Sequence, residues 1–195
     1  MQSYIINGVR SAKSPIKMAL FQPLTQLDLV SKYNIRSDLQ RLSEIRCTFP
    51  YQSVTFDYRK ICISAFITEL LYKTLPQENS NPELFDFLIQ SFIHFDQLKS
   101  NVDSFHIKFM IHLFPYLGFE PSDFQDILSH STHSTINSEI LVTDYLTLIL
   151  SQPLNLSTEI PVEHCKTILT LLVDFLMFNM PQISAFKSIA VIKEL

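Results

Sequence analysis

The spacing of hydrophobic positions changes near residues 48–50 of this chain. Before that point, short apolar runs rich in β-branched and aromatic residues predict strands, in SYIINGV and LTQLDLVSKY. In the second run, Leu27 and Leu29 alternate with the polar residues Gln26 and Asp28. Such alternation is typical of a strand with one buried face.

The stretch LQRLSEIRC fits two patterns. Its composition suits a strand, but the spacing of Leu39 and Leu42 also suits a helix. We interpret everything before the Thr48–Pro50 boundary as β structure and leave this stretch with both alternatives.

Beyond Pro50 the apolar spacing becomes helical. A first helix is predicted between Asp57 and Leu75, with Glu69 and Lys73 as an exposed ion pair one turn apart. Its apolar stripe consists of Ile63, Phe66, Ile67, Leu70 and Leu71.

Capping signals mark further helices. Asn81 is a suitable N-cap before Pro82, and a third helix should end at Gly118, bent by Pro115 in its last turn. Later helices are predicted over 138–150 and 161–178, followed by an amphipathic tail, SAFKSIAVIKEL. The whole pattern predicts an α+β protein that is mostly α, with a small β module before a bundle of five or six helices.

Composition agrees with a helical protein that has a large core. The chain has 195 residues, of which 47% are hydrophobic and 17% charged, and it contains only two glycines. Few glycines argue against an all-β fold and against a glycine-rich phosphate loop. Three cysteines without a CxxC pair suit a reducing, cytoplasmic compartment, and we expect neither a signal peptide nor a membrane span.

Charge is distributed unevenly. The net charge is −4, yet residues 1–47 hold seven Lys or Arg against three Asp or Glu, and the rest hold eight against sixteen. A basic first part is compatible with nucleic-acid binding, although the net charge alone argues against it.

Catalytic and metal-binding patterns are absent from the sequence. His106 and His112 are six residues apart, on different sides of one predicted helix, so they cannot chelate together. His130 and His133 lie in a polar connection without a nearby thiol, and Cys62 lies on an apolar helical face, where we expect an inert thiol. We therefore expect no catalytic residues, no metal and no cofactor, and a protein that is not an enzyme.

The clearest candidate site is the basic stretch that contains Arg10, Lys13 and Lys17. Its ordinary interpretation is a solvated surface loop, and its functional interpretation is a surface that binds phosphates. Three aromatic residues are near in sequence and are equally suited to stacking on bases or to the core: Tyr4, Phe21 and Tyr33.

That stretch, NGVRSAKSPIKMALFQPLTQLDL, resembles the end of the N-terminal OB-fold of the bacterial recombination mediator family RecO. The resemblance continues through DLQRLSEIR, FDYRKICISAFITELLYKTL, NPELFDFL and LGFEP, and ends with FKSIAVIKEL. It is carried by the ordered series rather than by one motif, and it is weakest over 129–163.

The resemblance implies a partial OB-fold over 1–48 and a helical domain over 49–195. RecO chains normally begin with two further strands, so we expect an incomplete barrel here. An incomplete gene prediction, a trimmed chain or a natural truncation would explain it. Some family members also hold zinc through cysteines after the segment that matches LGFEP, and the absence of cysteine there predicts no zinc.

The resemblance also implies a role in DNA repair and homologous recombination, in a bacterial, nucleoid-associated protein. Proteins of this family bind single- and double-stranded DNA, anneal strands, act with RecR, engage the acidic tail of single-strand binding protein and help to load RecA. By position, Arg10, Lys13 and Lys17 would contact the DNA backbone, and Lys32, Arg36 and Arg41 could extend that surface. A peptide pocket should lie on the helical domain, with Lys187 as a possible cation at its rim.

A second hypothesis is a protein-interaction module whose helical bundle is functional and whose OB segment no longer binds DNA. Salt dependence separates the two, because binding through phosphates weakens steeply with salt.

Overall fold

The computed structural model describes residues 3–6, 18–32, 36, 39–75, 81–119, 127, 129, 140–155 and 159–194. The described part is mostly helical and contains one three-stranded sheet. The strands are β1 (Ser3–Ile5), β2 (Gln26–Lys32) and β3 (Leu39–Phe49). The α-helices are α1 (Tyr58–Thr74), α2 (Pro82–Gln97), α3 (Phe105–Leu113), α4 (Ile140–Ser151), α5 (Val162–Asn179) and α6 (Ile189–Ile192).

The sheet has the order β1-β3-β2, with β1 parallel and β2 antiparallel to the central β3. The α+β, mostly α prediction is therefore confirmed, and the ambiguous stretch that begins at Leu39 is a strand. Three strands do not close the five-stranded barrel of an OB-fold. The OB-fold consequently stays a prediction, as does the domain division at 48/49.

Local signals set the helix ends as the sequence predicts. The Asp57 carboxylate accepts a hydrogen bond from the Arg59 N–H at 2.9 Å, and the Asn81 side chain accepts one from the Leu84 N–H at 2.9 Å. Past Leu113 the chain tightens into a 3₁₀ turn and stops at Gly118, whose φ of 85° is left-handed. Such a backbone favours glycine.

The hydrophobic core lies among the helices. The apolar side chains of α1, α3 and α5 that face one another are buried, as the stripe on α1 predicts. Phenylalanine rings fill much of this space: Phe109 stacks on Phe87, Phe92 and Phe105 with centroids 5.6–6.0 Å apart. Phe105 in turn stacks on Phe95 at 4.3 Å.

The C-terminal segment is fastened to α1 by the pair Glu69–Lys73. Their ion pair measures 2.9 Å, and Glu69 accepts hydrogen bonds from the backbone N–H groups of Lys187 and Ser188 at 2.9 and 2.8 Å. The Lys73 ammonium also lies 4.7 Å from the centre of the Phe186 ring. The prediction of an exposed pair is wrong: the side chains are only 18% and 15% exposed, because residues far along the chain cover them.

Only part of the amphipathic tail is helical. Four residues form α6, and the residues before it run over α1 without helical structure. Phe186 is buried there against Phe66, with ring centroids 5.9 Å apart.

Candidate nucleic-acid interface

Strand register decides which side chains of the sheet share a face. Lys32 lies opposite Arg41, Val30 opposite Glu44, and Asp28 opposite Arg46. These six exposed residues define what we call the outer face. Of the residues between them, Ser31, Leu42 and Ile45 point to the other side and are half-buried, and Leu29 on that side is 37% exposed.

A β-bulge at Ser43 keeps that division intact. Val30 pairs with Glu44 and Ser31 with Leu42, so Ser43 has no partner on β2. The Ser43 hydroxyl donates to the Val30 carbonyl at 2.9 Å. One extra residue shifts the alternation, so that Leu42 and Ile45, three apart, face the same side.

Two cations stand side by side on the outer face. Lys32 and Arg41 are opposite residues of an antiparallel pair, where side chains start about 5 Å apart. On the other side of Arg41, β1 contributes Ile5 in register. We call Lys32 and Arg41 the cationic row; it runs across the strands rather than along them.

A groove of about 590 Å³ adjoins the cationic row. Besides the two cations it exposes apolar surface from Ile5 (42% exposed) and Leu39 (53%). Like charges placed opposite each other destabilise a sheet unless an anion lies between them. Lys and Arg side chains attract the phosphates of a nucleic acid, and aliphatic side chains beside them can pack against its sugars and base edges.

The outer face also carries acidic residues. Asp28 lies opposite Arg46. Glu44 lies opposite Val30, which is uncharged and 50% exposed. Positive charge on this face is therefore concentrated at one end, at the cationic row. Nothing in the sequence pattern indicated this arrangement, because it depends on the bulge.

Of the sequence-predicted DNA-binding residues, the structure brings Lys32 and Arg41 together. Arg36 is exposed in the connection between β2 and β3. Arg10, Lys13 and Lys17 lie outside the described residues, as do Tyr33, His130 and His133. Tyr4 and Phe21 are each 39% exposed, and Tyr4 pairs with Gln40 on the face opposite the cations.

The connection from β3 to α1 is held by Asp96, a residue that sequence reasoning missed. Its carboxylate accepts hydrogen bonds from the backbone N–H groups of Gln52, Ser53 and Val54 at 2.8–3.1 Å. Burial raises the pKa of Asp96, but these hydrogen bonds outweigh burial and hold the pKa below its usual value. Three consecutive donors on one carboxylate fix this segment.

Lys60 completes the same junction. Its ammonium donates to the Ser53 hydroxyl at 2.6 Å and to the carbonyls of Asp96 and Leu98 at 2.9 and 2.7 Å, and the residue is 1% exposed. Burial lowers the pKa of Lys60, and the charges of Asp96 and Asp57 partly oppose that shift. The only signal in the sequence was a lysine at an inward position of α1.

Hydrogen bonds also join the sheet to the helices. The Gln26 amide donates to the Tyr51 hydroxyl at 3.3 Å and to the Ile89 carbonyl at 3.4 Å. The Tyr51 hydroxyl donates to the Leu24 carbonyl at 2.7 Å. The outer face is thereby held at one position relative to α2.

A second groove, of about 480 Å³, lies on the helical part and is called the α2 groove here. Burial lowers the pKa of His94 and of His112, and Lys108 lowers both further. Among the described residues, no carboxylate lines the groove, and Lys187 is not part of its lining. Its lining is Phe87, Gln90, Ser91, Ile93, His94, Gln97, His112, Pro153, Leu154 and Asn155.

Neither a metal-binding cluster nor a membrane-spanning helix occurs in the described ranges. No group of three or more His, Cys, Asp or Glu there is placed to hold a metal ion. No helix there is long and apolar enough to cross a membrane. Cys62 and Cys165 are both 6% exposed, and burial raises the pKa of Cys165 to about 11.

Comparison with known proteins adds a family signal. The family model described as "Recombination protein O C terminal" matches residues 55–140, from the turn before α1 to the start of α4. No solved structure matches the chain.

Several curated proteins named "DNA repair protein RecO" are similar to this chain. The protein of Bacteroides fragilis is 26% identical over 209 residues, which cover 99% of this chain and 86% of that protein. Those of Phocaeicola vulgatus and Christiangramia forsetii are 32% and 34% identical over 120 residues, or 62% and 61% of this chain. In these last two alignments the chain spans about half the length of the relative.

Proposed function

The chain belongs to the RecO family of DNA repair proteins, and from that premise we propose that it acts in DNA repair by binding DNA on the outer face of its sheet. The observation that carries the proposal is the cross-strand pair Lys32–Arg41 beside exposed apolar surface. Binding releases counterions from the phosphates, and this favours association at low salt. The proposal assigns further contacts with the DNA backbone to Arg36 and, from the family resemblance alone, to Arg10, Lys13 and Lys17.

The further steps of the proposal follow from the family resemblance. The bound chain anneals complementary strands, displaces single-strand binding protein and, with RecR, helps to load RecA. It does so without catalytic turnover and in the bacterial cytoplasm.

Fluorescence anisotropy with a labelled single-stranded oligonucleotide tests the DNA site. We expect wild-type binding to weaken strongly between about 50 and about 200 mM salt. The double variant Lys32→Gln/Arg41→Gln should bind more weakly, and its salt slope should be smaller by about 1.4, since each phosphate contact to a single strand contributes about 0.7. A triple change of Arg10, Lys13 and Lys17 to Ala tests the remaining candidates.

The matched control removes two exposed cations from the helical part, as Lys99→Gln/Lys166→Gln. It has the same net charge as the double variant of the sheet. Equal losses in the two double variants would contradict a site on the sheet and point to nonspecific attraction. Circular dichroism and urea unfolding establish that each variant is folded.

The α2 groove supports a second candidate function, the docking of a protein partner. Its lining includes Phe87, Ile93 and Leu154, and the described part of that lining contains no carboxylate, which suits a peptide that carries acidic residues and ends in phenylalanine. Such a peptide is what the tail of single-strand binding protein would present.

Titration calorimetry with that peptide tests the groove. Ile93→Asp should abolish binding, because it places a carboxylate against an acidic, apolar ligand. Lys187→Gln should leave binding unchanged, since Lys187 does not line the groove. The reverse result would place the peptide near Lys187 instead.

A further inference from the structure

We propose that Glu44 selects single-stranded over double-stranded DNA at the outer face. The inference rests on the proposed function and concerns a residue that the family resemblance does not single out. It begins from the position of Glu44, which shares the outer face with the cationic row and occupies the next pair of residues along β2 and β3.

The charges change sign within one step along the strands. Lys32 and Val30 are two positions apart on β2, a distance of about 7 Å. At Lys32 the cross-strand pair is Lys32–Arg41, and at Val30 it is Val30–Glu44. A phosphate over the cationic row is therefore attracted by two cations, and a phosphate one step away lies beside a carboxylate.

Glu44 differs from the other acid of this face. Asp28 has the cation Arg46 directly opposite across the strands, whereas Glu44 has the uncharged Val30 there. Neither acid takes part in the ion pairs found among the described residues, so the contrast lies in the residue that faces each of them. The charge of Glu44 therefore acts on whatever lies over the outer face.

Single-stranded and double-stranded DNA should interact differently with the cationic row and Glu44. A flexible single strand can follow the cationic row across the sheet, past Leu39 and Ile5, and keep its phosphates away from Glu44. A duplex carries a charge every 1.7 Å or so along its axis and stays straight over far more than the width of this sheet. It places phosphates near Glu44 wherever it contacts the cationic row.

The test measures binding of the full chain to a single-stranded oligonucleotide and to its duplex at one low salt concentration. For Glu44→Gln we expect duplex affinity to rise about threefold to tenfold and single-strand affinity to rise less than about twofold, as for one charge acting through solvent at this range. Glu44→Thr, a good strand former, serves as a second variant if the first is poorly folded.

Asp86→Asn is the matched control, because Asp86 is exposed on α2 and its removal changes the net charge equally. It should leave both affinities unchanged. Equal gains for single strand and duplex in Glu44→Gln, or no gain in either, would overturn the proposal.

Failure of the inference is distinguishable from failure of the proposed function. If wild type binds DNA, the Lys32→Gln/Arg41→Gln variant binds it more weakly, and Glu44→Gln behaves as wild type, only the role of Glu44 is overturned. If neither wild type nor Glu44→Gln binds single strand or duplex, both proposals are overturned. Duplex binding that appears only in Glu44→Gln supports the role of Glu44 directly.

Discussion

The sheet and the helices of this protein differ in what they bury. The helices bury a contiguous set of apolar side chains, including Phe66, Phe109 and Leu172 at 0% exposure. Among the described residues before Pro50, the buried side chains are Gln26 and Gln40, which are both polar. Stability therefore comes mainly from the helices, and the sheet keeps exposed surface that can bind a ligand.

Truncating the aromatic core should produce the largest loss of stability. Phe109→Ala removes a fully buried ring that stacks on three others, and we expect the free energy of unfolding to fall by about 3–5 kcal/mol. Leu39→Ala, on the 53% exposed surface of the sheet, should cost less than about 0.5 kcal/mol. Urea unfolding compares the two, and similar losses would contradict the contrast between the regions.

Acid should weaken the helical core through His106. This residue is 2% exposed, neither of its ring nitrogens has a hydrogen-bond partner among the described residues, and burial lowers its pKa from 6.5 to about 4. The folded state therefore resists protonation that the unfolded state accepts. The free energy of unfolding should fall as the pH drops from 6.5 to 4, by about 3 kcal/mol in total.

Urea unfolding at several pH values measures this loss in wild type and in His106→Leu, which should lack this part of the pH dependence. His164→Gln should retain it. The charged groups that line the cavity beside His106 are Asp103, Lys166 and Lys193. A His106→Leu variant with the full wild-type slope would assign the acid sensitivity to other groups.

Removing the contacts of Glu69 that hold the C-terminal segment against α1 should lower the free energy of unfolding by an intermediate amount. Hydrogen bonds from Ser188, Lys187 and Lys73 outweigh the effect of burial and lower the pKa of Glu69 to about 2. Glu69→Gln keeps the shape but loses the charge, so the free energy of unfolding should fall by about 1–2 kcal/mol. The amide of Ser188 should exchange with solvent faster, whereas Asp86→Asn should change neither quantity.

The smallest change in the free energy of unfolding is expected in the sheet, where a substitution should leave it constant or raise it slightly. Lys32→Gln removes one of two like charges that face each other across β2 and β3. We expect the free energy of unfolding to stay constant or to rise by at most about 0.5 kcal/mol at low salt. A clear loss of stability would mean that Lys32 has a structural role in the sheet.

Local signals made the helices predictable from the sequence. Asn81 and Pro82 begin α2, and Gly118 ends the turn after α3, because caps depend on residues a few positions apart. The β3 stretch was ambiguous for a physical reason. Leu39 and Leu42 are three residues apart, a spacing that also suits a helix, although in the strand they lie on opposite faces.

Contacts between distant residues were not predictable in the same way. Glu69 looked like the partner of a surface lysine, but the residues that bury it lie 118 and 119 positions further along the chain. The candidate site was predicted in part: the sequence named Lys32 and Arg41, while their pairing and the place of Glu44 depend on strand register. Register is a tertiary property that composition and spacing do not determine.

The Asp96–Lys60 junction has a mechanical consequence. A hinge between the sheet and the helices would have to break the hydrogen bonds that hold Gln52, Ser53 and Val54 to Asp96. If DNA binds the outer face as proposed, a pull on the strand would act as a torque on the sheet and on α1 and α2 together. The distance from the cationic row to a partner docked on these helices would then stay constant under load.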